Sequence, residues 1–236
     1  MSGVATITID RPECRNALDV DSCLRLTSEL HQAVETGSRA IVLAGAGPHF
    51  CAGADLGSVQ GGGLMAALRT LLDTICGVPV AVIAAVQGAA LGAGTQLAVA
   101  CDLRVVAPDA RFGIPAAKLG LTVDQPTVRR LALLAGHGPA RAMLLAAEEM
   151  DAETALRLGF AQRGGDLAAA QAWAEQLAAL APLTIAAHKL ALNQLETGVP
   201  ADAEVAAARQ RAWASPDAVE GLAAFRERRP PQFEGQ

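Results

Sequence analysis

Leu91-Gly92-Ala93-Gly94, set between an apolar run and Thr95-Gln96, is the stretch of this sequence best suited to chemistry. Glycine and alanine let a ligand come close to the backbone, and the first N–H groups of a helix have no partner within it. Such a helix start favours an anion or a developing negative charge. A tight turn leading into a core helix carries the same letters, so at this level both readings stand. Asp124 is a second candidate. It is a carboxylate that could move a proton, or an N-cap for a helix opening at Pro126. Cys51, beside His49 in a glycine-rich loop, could serve as a nucleophile, but small apolar cysteines are usually core filler, and that reading is taken here. His49 reads as a loop-surface residue and His137, between two glycines, as a turn residue. His31 and His188 fall in helices without a partner pattern. No spacing suggests metal ligands. Gly92-Ala93-Gly94 also lacks the third glycine and the acidic residue that a dinucleotide-binding turn requires.

The elements that must position these residues follow from apolar patterning. Val80 to Val86 is a continuous apolar run of strand length, as expected for a strand buried on both faces. Thr95 to Cys101 reads as a buried helix. Upstream, Val4 to Asp10 alternates as a strand, and Arg11 to Leu18 is a polar loop opened by Pro12. Asp19 caps a helix with apolar positions at Leu24, Leu26, Leu30 and Val34, which Gly37 ends. Ala40 to Ala44 is a second buried strand. Gly45 to Gly63 is a glycine-rich loop, and Leu64 to Ile75 has helix spacing. Leu103 to Ala107 is another short strand, and Pro126 opens a helix through Leu134. Gly136 to Gly138 reads as a turn. Nearly everything from Pro139 to Arg228 reads as helix, with Trp173 and Trp213 as packing residues. Strands alternating with helices and then a helical tail is an α/β pattern.

Composition bounds the function. The 236 residues suffice for one sizeable domain, with or without a small appendage. At 52% hydrophobic, 18% charged and a mean hydropathy of +0.30, the chain has either a large core or extensive surface buried between subunits. A net charge of −5 and pI near 5.4 argue against nucleic-acid binding through a basic surface. The five cysteines are odd in number, widely spaced and without a Cys-x-x-Cys pair, which fits a reducing cytoplasm better than a disulfide framework. The first residues lack the basic region and long apolar core of a signal peptide. Gln87, Gln96 and several glycines interrupt Val78 to Cys101, so no membrane span is expected.

Five stretches in register carry a resemblance. They are Arg11-Pro12…Asn16-Ala17-Leu18, Phe50-Cys51-Ala52-Gly53-Ala54-Asp55-Leu56, Gly88-Ala89-Ala90-Leu91-Gly92-Ala93-Gly94, Cys101-Asp102-Leu103-Arg104 and Phe112-Gly113-Ile114-Pro115…Leu119-Gly120. In this order they resemble the crotonase superfamily, the enoyl-CoA hydratase/isomerase family, over nearly the whole chain. The resemblance implies a spiral of ββα units over residues 1–180. It also implies a helical region over 181–236 that packs on neighbouring subunits to make a homotrimer or hexamer. The implied ligand is a fatty acyl-CoA thioester, with no other cofactor. Its carbonyl oxygen would be held by the backbone N–H groups of Ala54 and Ala93. By the same resemblance Cys14, Arg15, Ala52, Asp55, Leu56 and Gly92 contact the acyl-CoA, with Phe225 and Arg228 contributed by a neighbouring subunit.

The sequence departs from the family's hydratases at both acid–base positions. Their two glutamates correspond to Gln96 and Ala116 here. Glutamine can hydrogen-bond water but cannot exchange a proton near neutral pH, and alanine offers nothing. Positioned acid–base groups typically contribute about 10²–10⁴-fold each, so hydratase activity is expected to be very low or absent. The chain further resembles a mycobacterial branch regarded as binding acyl-CoA without hydrating it and linked to mycolic-acid synthesis. That implies fatty-acid or mycolic-acid synthesis enzymes as partners. The alternative is an active isomerase, or another enolate-forming acyl-CoA enzyme, with Asp124 as its base, since the family's dienoyl-CoA isomerases carry an aspartate there. A third reading is a structural partner of a lipid-synthesis complex in which CoA binding is vestigial.

Overall fold

The computed structural model describes residues 3–55, 63–197 and 203–235. Leu56 and residues 57–62 of the glycine-rich loop lie outside the described residues. Five parallel strands form the main sheet: β1 (Val4–Ile9), β2 (Ala40–Gly45), β3 (Ala81–Val86), β5 (Leu103–Val106) and β8 (Arg163–Gly164), in the order β1-β2-β3-β5-β8. The register pairs Ile41 with Val82 and Ile83 with Leu103. Every residue of β2 and β3 is buried, as their unbroken apolar runs require. The two-residue period sends alternate side chains to opposite faces. Ile41, Leu43, Val82, Ala84 and Val86 join the main core with α1 (Val20–Glu35) and α2 (Leu64–Gly77). Val42, Ala44, Ile83 and Ala85 instead meet Ala170, Trp173 and Ala174 of α7 (Leu167–Ala178) on the other face.

A second, shorter sheet stands apart from the first. It contains β4 (Ala89–Leu91), β6 (Arg111–Gly113) and β7 (Glu149–Asp151), with β4 parallel to β6 and β7 antiparallel. Single-residue bridges extend it, Cys51 to Ala90 and Leu18 to Ala54. The chain passes from β3 to β4, through α3 (Ala93–Ala100), and on to β5 and β6. That alternation is the expected ββα spiral. The sequence pattern showed four strands, those of β1, β2, β3 and β5, before helix dominates; β4, β6, β7 and β8 are two or three residues long, too short for any period to register.

Two local expectations are corrected. The buried stripe of α1 is Cys23, Leu26, Leu30 and Ala33, while Leu24 is 55% exposed. His137 does not sit in a turn but opens α5 (His137–Leu145), after α4 (Gln125–Ala135). α6 (Ala152–Arg157) then leads to β8.

Three helices close the chain: α8 (Pro182–Thr197), α9 (Ala203–Ala214) and α10 (Pro216–Glu227). Lys189 docks α8. Its ammonium, buried, donates to the carbonyls of Ile75 (2.9 Å) and Val80 (3.0 Å) and pairs with Asp102 (2.8 Å). Asn193 adds a bond from Nδ2 to the Cys76 carbonyl (2.8 Å) and accepts from Arg130 (2.8 Å). α9 packs on α8, and α10 packs on α9. Leu192, Leu195, Val219 and Leu222 are exposed on these helices, and so is Trp213, at 71%; it is not the packing residue expected. No helix among the described residues is long and apolar enough to cross a membrane.

Arg104 shows how firmly the buried turn after α3 is held. It is fully buried, and burial lowers its pKa to about 10, so it remains charged at neutral pH. Its guanidinium donates to the carbonyls of Ala98 (2.9 Å), Cys101 (2.9 Å), Asp102 (3.3 Å) and Phe160. Arg104→Met strands these acceptors, and each buried unpaired group costs about 1–3 kcal/mol. The expected loss is about 3–5 kcal/mol of unfolding free energy, read by urea denaturation; a loss below about 1 kcal/mol would show that the carbonyls find other partners.

Candidate functional site

The site grows from two chain segments laid side by side. Cys51 N–H donates to the Ala89 carbonyl (3.0 Å) and Leu91 N–H to the Cys51 carbonyl (2.9 Å), so residues 51–54 run parallel to residues 90–93. Three residues past this bridge on each segment stand Ala54 and Ala93. The Gly53 carbonyl accepts from Leu18 (2.9 Å), and Asp55 N–H donates to the Leu18 carbonyl (2.7 Å). Neighbouring peptide groups of an extended segment face opposite edges, so Ala54 N–H lies on the edge away from Leu18. Ala93 is the first residue of α3, whose bonding begins with Gln96 N–H donating to the Gly92 carbonyl (3.0 Å). Neither the Ala54 nor the Ala93 N–H has an acceptor among the described residues.

Glycine makes this approach possible. A Cβ on Gly94 would fall 2.0 Å from the Cys51 carbonyl oxygen, so no side chain fits there without parting the two segments. Gly92 holds φ +53°, costly for other residues, and donates to the Gly113 carbonyl (2.7 Å). Thr95 pins the first turn further. Its hydroxyl donates to the Ala90 carbonyl (2.6 Å) and accepts from Gly113 N–H (3.0 Å).

One turn along α3 lies Gln96, buried, its Nε2 3.5 Å from the Thr127 hydroxyl. It lines a cavity of about 30 Å³ with Thr127, Asp124, Arg69 and Arg130. Asp124 caps α4: Oδ1 accepts from Thr127 N–H (2.8 Å), and Oδ2 pairs with Arg69 Nη1 (3.3 Å). Burial pushes its pKa up, but the Thr127 hydrogen bonds and the Arg69 charge outweigh it and hold the carboxyl below the ordinary aspartate value. Ala116, in the short 3₁₀ turn Pro115–Leu119, packs its methyl against the core. Burial pushes the Cys51 thiol up to about 12, so it stays protonated and behaves as core. His49 is half-buried rather than a free surface residue, and its Nδ1 accepts from Ala89 N–H (3.2 Å).

The expected acyl-CoA contacts fall into two groups. Cys14, Arg15, Ala52, Ala54, Asp55, Gly92 and Ala93 gather on one edge, joined by the Ala52 to Arg15 backbone bond (2.9 Å) and the bonds of Leu18. Arg15 is exposed, in a left-handed conformation. Phe225 and Arg228 belong to the other end of the chain. Phe225 is 84% exposed on α10, and Arg228 ends that helix. Sequence reasoning missed the residues that position the first group. Asn16, fully buried, accepts from Arg11 N–H (2.9 Å) and donates to the carbonyls of Ala46 (2.8 Å) and His49 (2.7 Å). Arg11 bridges Asp19 (3.1 Å) and Asp55 (3.4 Å). The signal was present, since both residues stand in Arg11-Pro12…Asn16-Ala17-Leu18.

The spiral fold points to one class of protein. A model of the enoyl-CoA hydratase/isomerase family matches residues 1–236, and the chain belongs to that family. Within it, the chain is 48% identical over 236 residues to the probable enoyl-CoA hydratase echA6 of Mycobacterium tuberculosis, covering 98% of this chain and 96% of that protein. It is 31% identical to the mitochondrial methylglutaconyl-CoA hydratase of Mus musculus, over 99% of this chain and 80% of that one. Among solved structures, an enoyl-CoA hydratase from Mycobacterium tuberculosis superposes with a TM-score of 0.89 at 32% identity, covering 100% of this chain and 97% of that one. An enoyl-CoA hydratase/carnithine racemase from Magnetospirillum magneticum gives 0.90 at 30% identity, over 100% and 94%.

The cap at Asp124 makes a pH prediction. Its folded-state pKa lies below the unfolded value, so the stabilisation is complete above the ordinary value of 3.8 and is lost as pH falls through the folded value. Asp124→Asn keeps a capping oxygen but cannot titrate. Thermal unfolding from pH 7 down to about 2 should fall less steeply in the variant; identical acid limbs would mean that Asp124 is equally solvated in both states.

Proposed function

We propose that this protein binds fatty acyl-CoA thioesters, holding the thioester oxygen between the N–H groups of Ala54 and Ala93, and that it does not hydrate enoyl-CoA at enzyme rates. The observation that carries the reading is the pair of unpartnered N–H groups at matched positions on two segments pressed together at Gly94. Donors fixed in this way suit an oxygen on which negative charge can grow. The gathered edge of Cys14, Arg15, Ala52, Asp55 and Gly92, with Leu56 beyond it, would take the CoA portion. Phe225 and Arg228 of a neighbouring subunit would complete it in a homotrimer or hexamer, in which the exposed Leu192, Leu195, Trp213, Val219 and Leu222 would be covered. The proposed setting is the cytoplasm, with fatty-acid or mycolic-acid synthesis enzymes as the partners that supply or receive the thioester.

Support for the missing hydratase step comes from side-chain chemistry. Hydration needs a group to deprotonate water and one to deliver the α-proton. Gln96 is an amide and Ala116 a methyl. Asp124, which lines the cavity beside Gln96 together with Asp73, has both oxygens engaged by Thr127 and Arg69. That engagement also weighs against the isomerase alternative.

Calorimetry with medium- and long-chain acyl-CoA, followed by incubation with crotonyl-CoA and a 3-enoyl-CoA, tests the reading. Binding without turnover of either substrate is expected. Hydration of crotonyl-CoA at ordinary enzyme rates would refute it, and conversion of the 3-enoyl substrate that is lost in Asp124→Asn would install the isomerase. Ala93→Pro removes one donor at a first-turn position that tolerates proline. A net hydrogen bond of about 0.5–1.5 kcal/mol gives an expected ~2- to 10-fold weaker acyl-CoA binding, with the fold checked by thermal unfolding. Undiminished affinity would place the thioester elsewhere.

A further inference from the structure

Past Gln96, the space beside α3 is bordered in part by a pair of charges. Ala93, Gln96 and Ala100 stand at i, i+3 and i+7, on one stripe of the helix. At ~1.5 Å per residue the stripe runs about 10 Å from the Ala93 end. Gln96, Val99 and Ala100 line the cavity of about 30 Å³, which therefore lies along α3 beyond Ala93. The cavity has room for a water molecule and none for a run of methylenes. Its boundary includes the ion pair between Arg69 on α2 and Asp124 at the α4 cap, 3.3 Å apart. This contact joins two elements far apart in sequence. Arg69 keeps a second carboxylate on its own helix, Asp73 at 2.6 Å, and Asp124 keeps its bond from Thr127, so either side retains a partner if the link between them opens.

We infer that the Arg69–Asp124 pair is a chain-length gate: closed, it ends the acyl pocket after the first carbons, and a longer chain must part it. This rests on the thioester-binding reading above. An apolar chain offers nothing to either charge, so it cannot settle against the closed pair without loss. Both partners are partly exposed, and pairs of that kind are weak and screened by salt. The gate therefore selects by a few-fold and yields to ionic strength.

The test measures affinities for butanoyl-CoA and dodecanoyl-CoA at low and high salt, for the natural chain, Asp124→Asn and Arg69→Gln. The dodecanoyl-to-butanoyl affinity ratio should rise ~3- to 5-fold in either variant, the size of effect a weak exposed pair allows. In the natural chain the ratio should also rise with salt, and in the variants this extra response should vanish. Asparagine preserves the α4 cap; should Asp124→Asn nonetheless unfold, Arg69→Gln leaves the cap untouched and decides. An unchanged ratio with an unchanged salt response overturns the gate alone. Failure of the natural chain to bind any acyl-CoA overturns the thioester reading, and the gate with it.

Discussion

The arrangement depends on one close approach, the first turn of α3 against the carbonyl of Cys51. With only a hydrogen at Gly94, the turn sits where a methyl would lie 2.0 Å from that oxygen. The same oxygen accepts from Leu91 N–H, so the carbonyl is flush against β4 on one side and α3 on the other. This contact sets the spacing of residues 51–54 from 90–93, and with it the separation of the Ala54 and Ala93 N–H groups. Thr95, bonded to both Ala90 and Gly113, and Gly92, bonded to Gly113, carry the constraint into β6. A larger residue at 94 would act on the site through the backbone, without touching a ligand.

The two ends of α3 are treated oppositely. Its C-terminal carbonyls are all engaged: Ala98 and Cys101 by Arg104, Val99 and Ala100 by Arg130. Two guanidinium groups at a helix C-terminus also complement its dipole. The C-terminus of α2 is held in the same way by Lys189 and Asn193 of α8. The N-terminus of α3 is the end whose first donor is left open. A backbone donor at such a helix start is met by water or by a ligand. The cationic network at the far end fixes the helix so that the open donor stays in place.

Much of this was legible in the sequence, for identifiable reasons. Gly92-Ala93-Gly94 between a buried strand and a buried helix suited both a backbone site and a tight turn into a core helix, and Asp19 and Asp124 announced caps that the structure has. What the sequence hid was whatever depends on partners remote in the chain. β4, β6 and β7 are strands only because neighbouring segments bond to them. Leu24 points outward although its apolar spacing fits the helix, because Cys23 takes the inward position. His49 looked like loop surface until its bond with Ala89 drew it inward. Trp213, expected to pack, is 71% exposed on α9, whereas Ala208 of the same helix is buried. Nothing local to Arg69 points to Asp124, which lies 55 residues on.

The site's proton chemistry follows from the same geometry. A group that exchanges protons in catalysis works best with a pKa near the operating pH. Here Asp124 is held below its ordinary value by Thr127 and Arg69, and Cys51 is raised to about 12 by burial. Each is displaced away from neutrality, in opposite directions, and Gln96 and Ala116 have no proton to exchange. On the proposed reading, the N–H groups of Ala54 and Ala93 then meet a thioester for which Gln96 and Ala116 cannot act as the base. Interactions made equally with the resting and the reacting ligand strengthen binding without raising turnover. On that reading, a frame that can stabilise charge but lacks a positioned proton donor or acceptor would hold its thioester without turning it over.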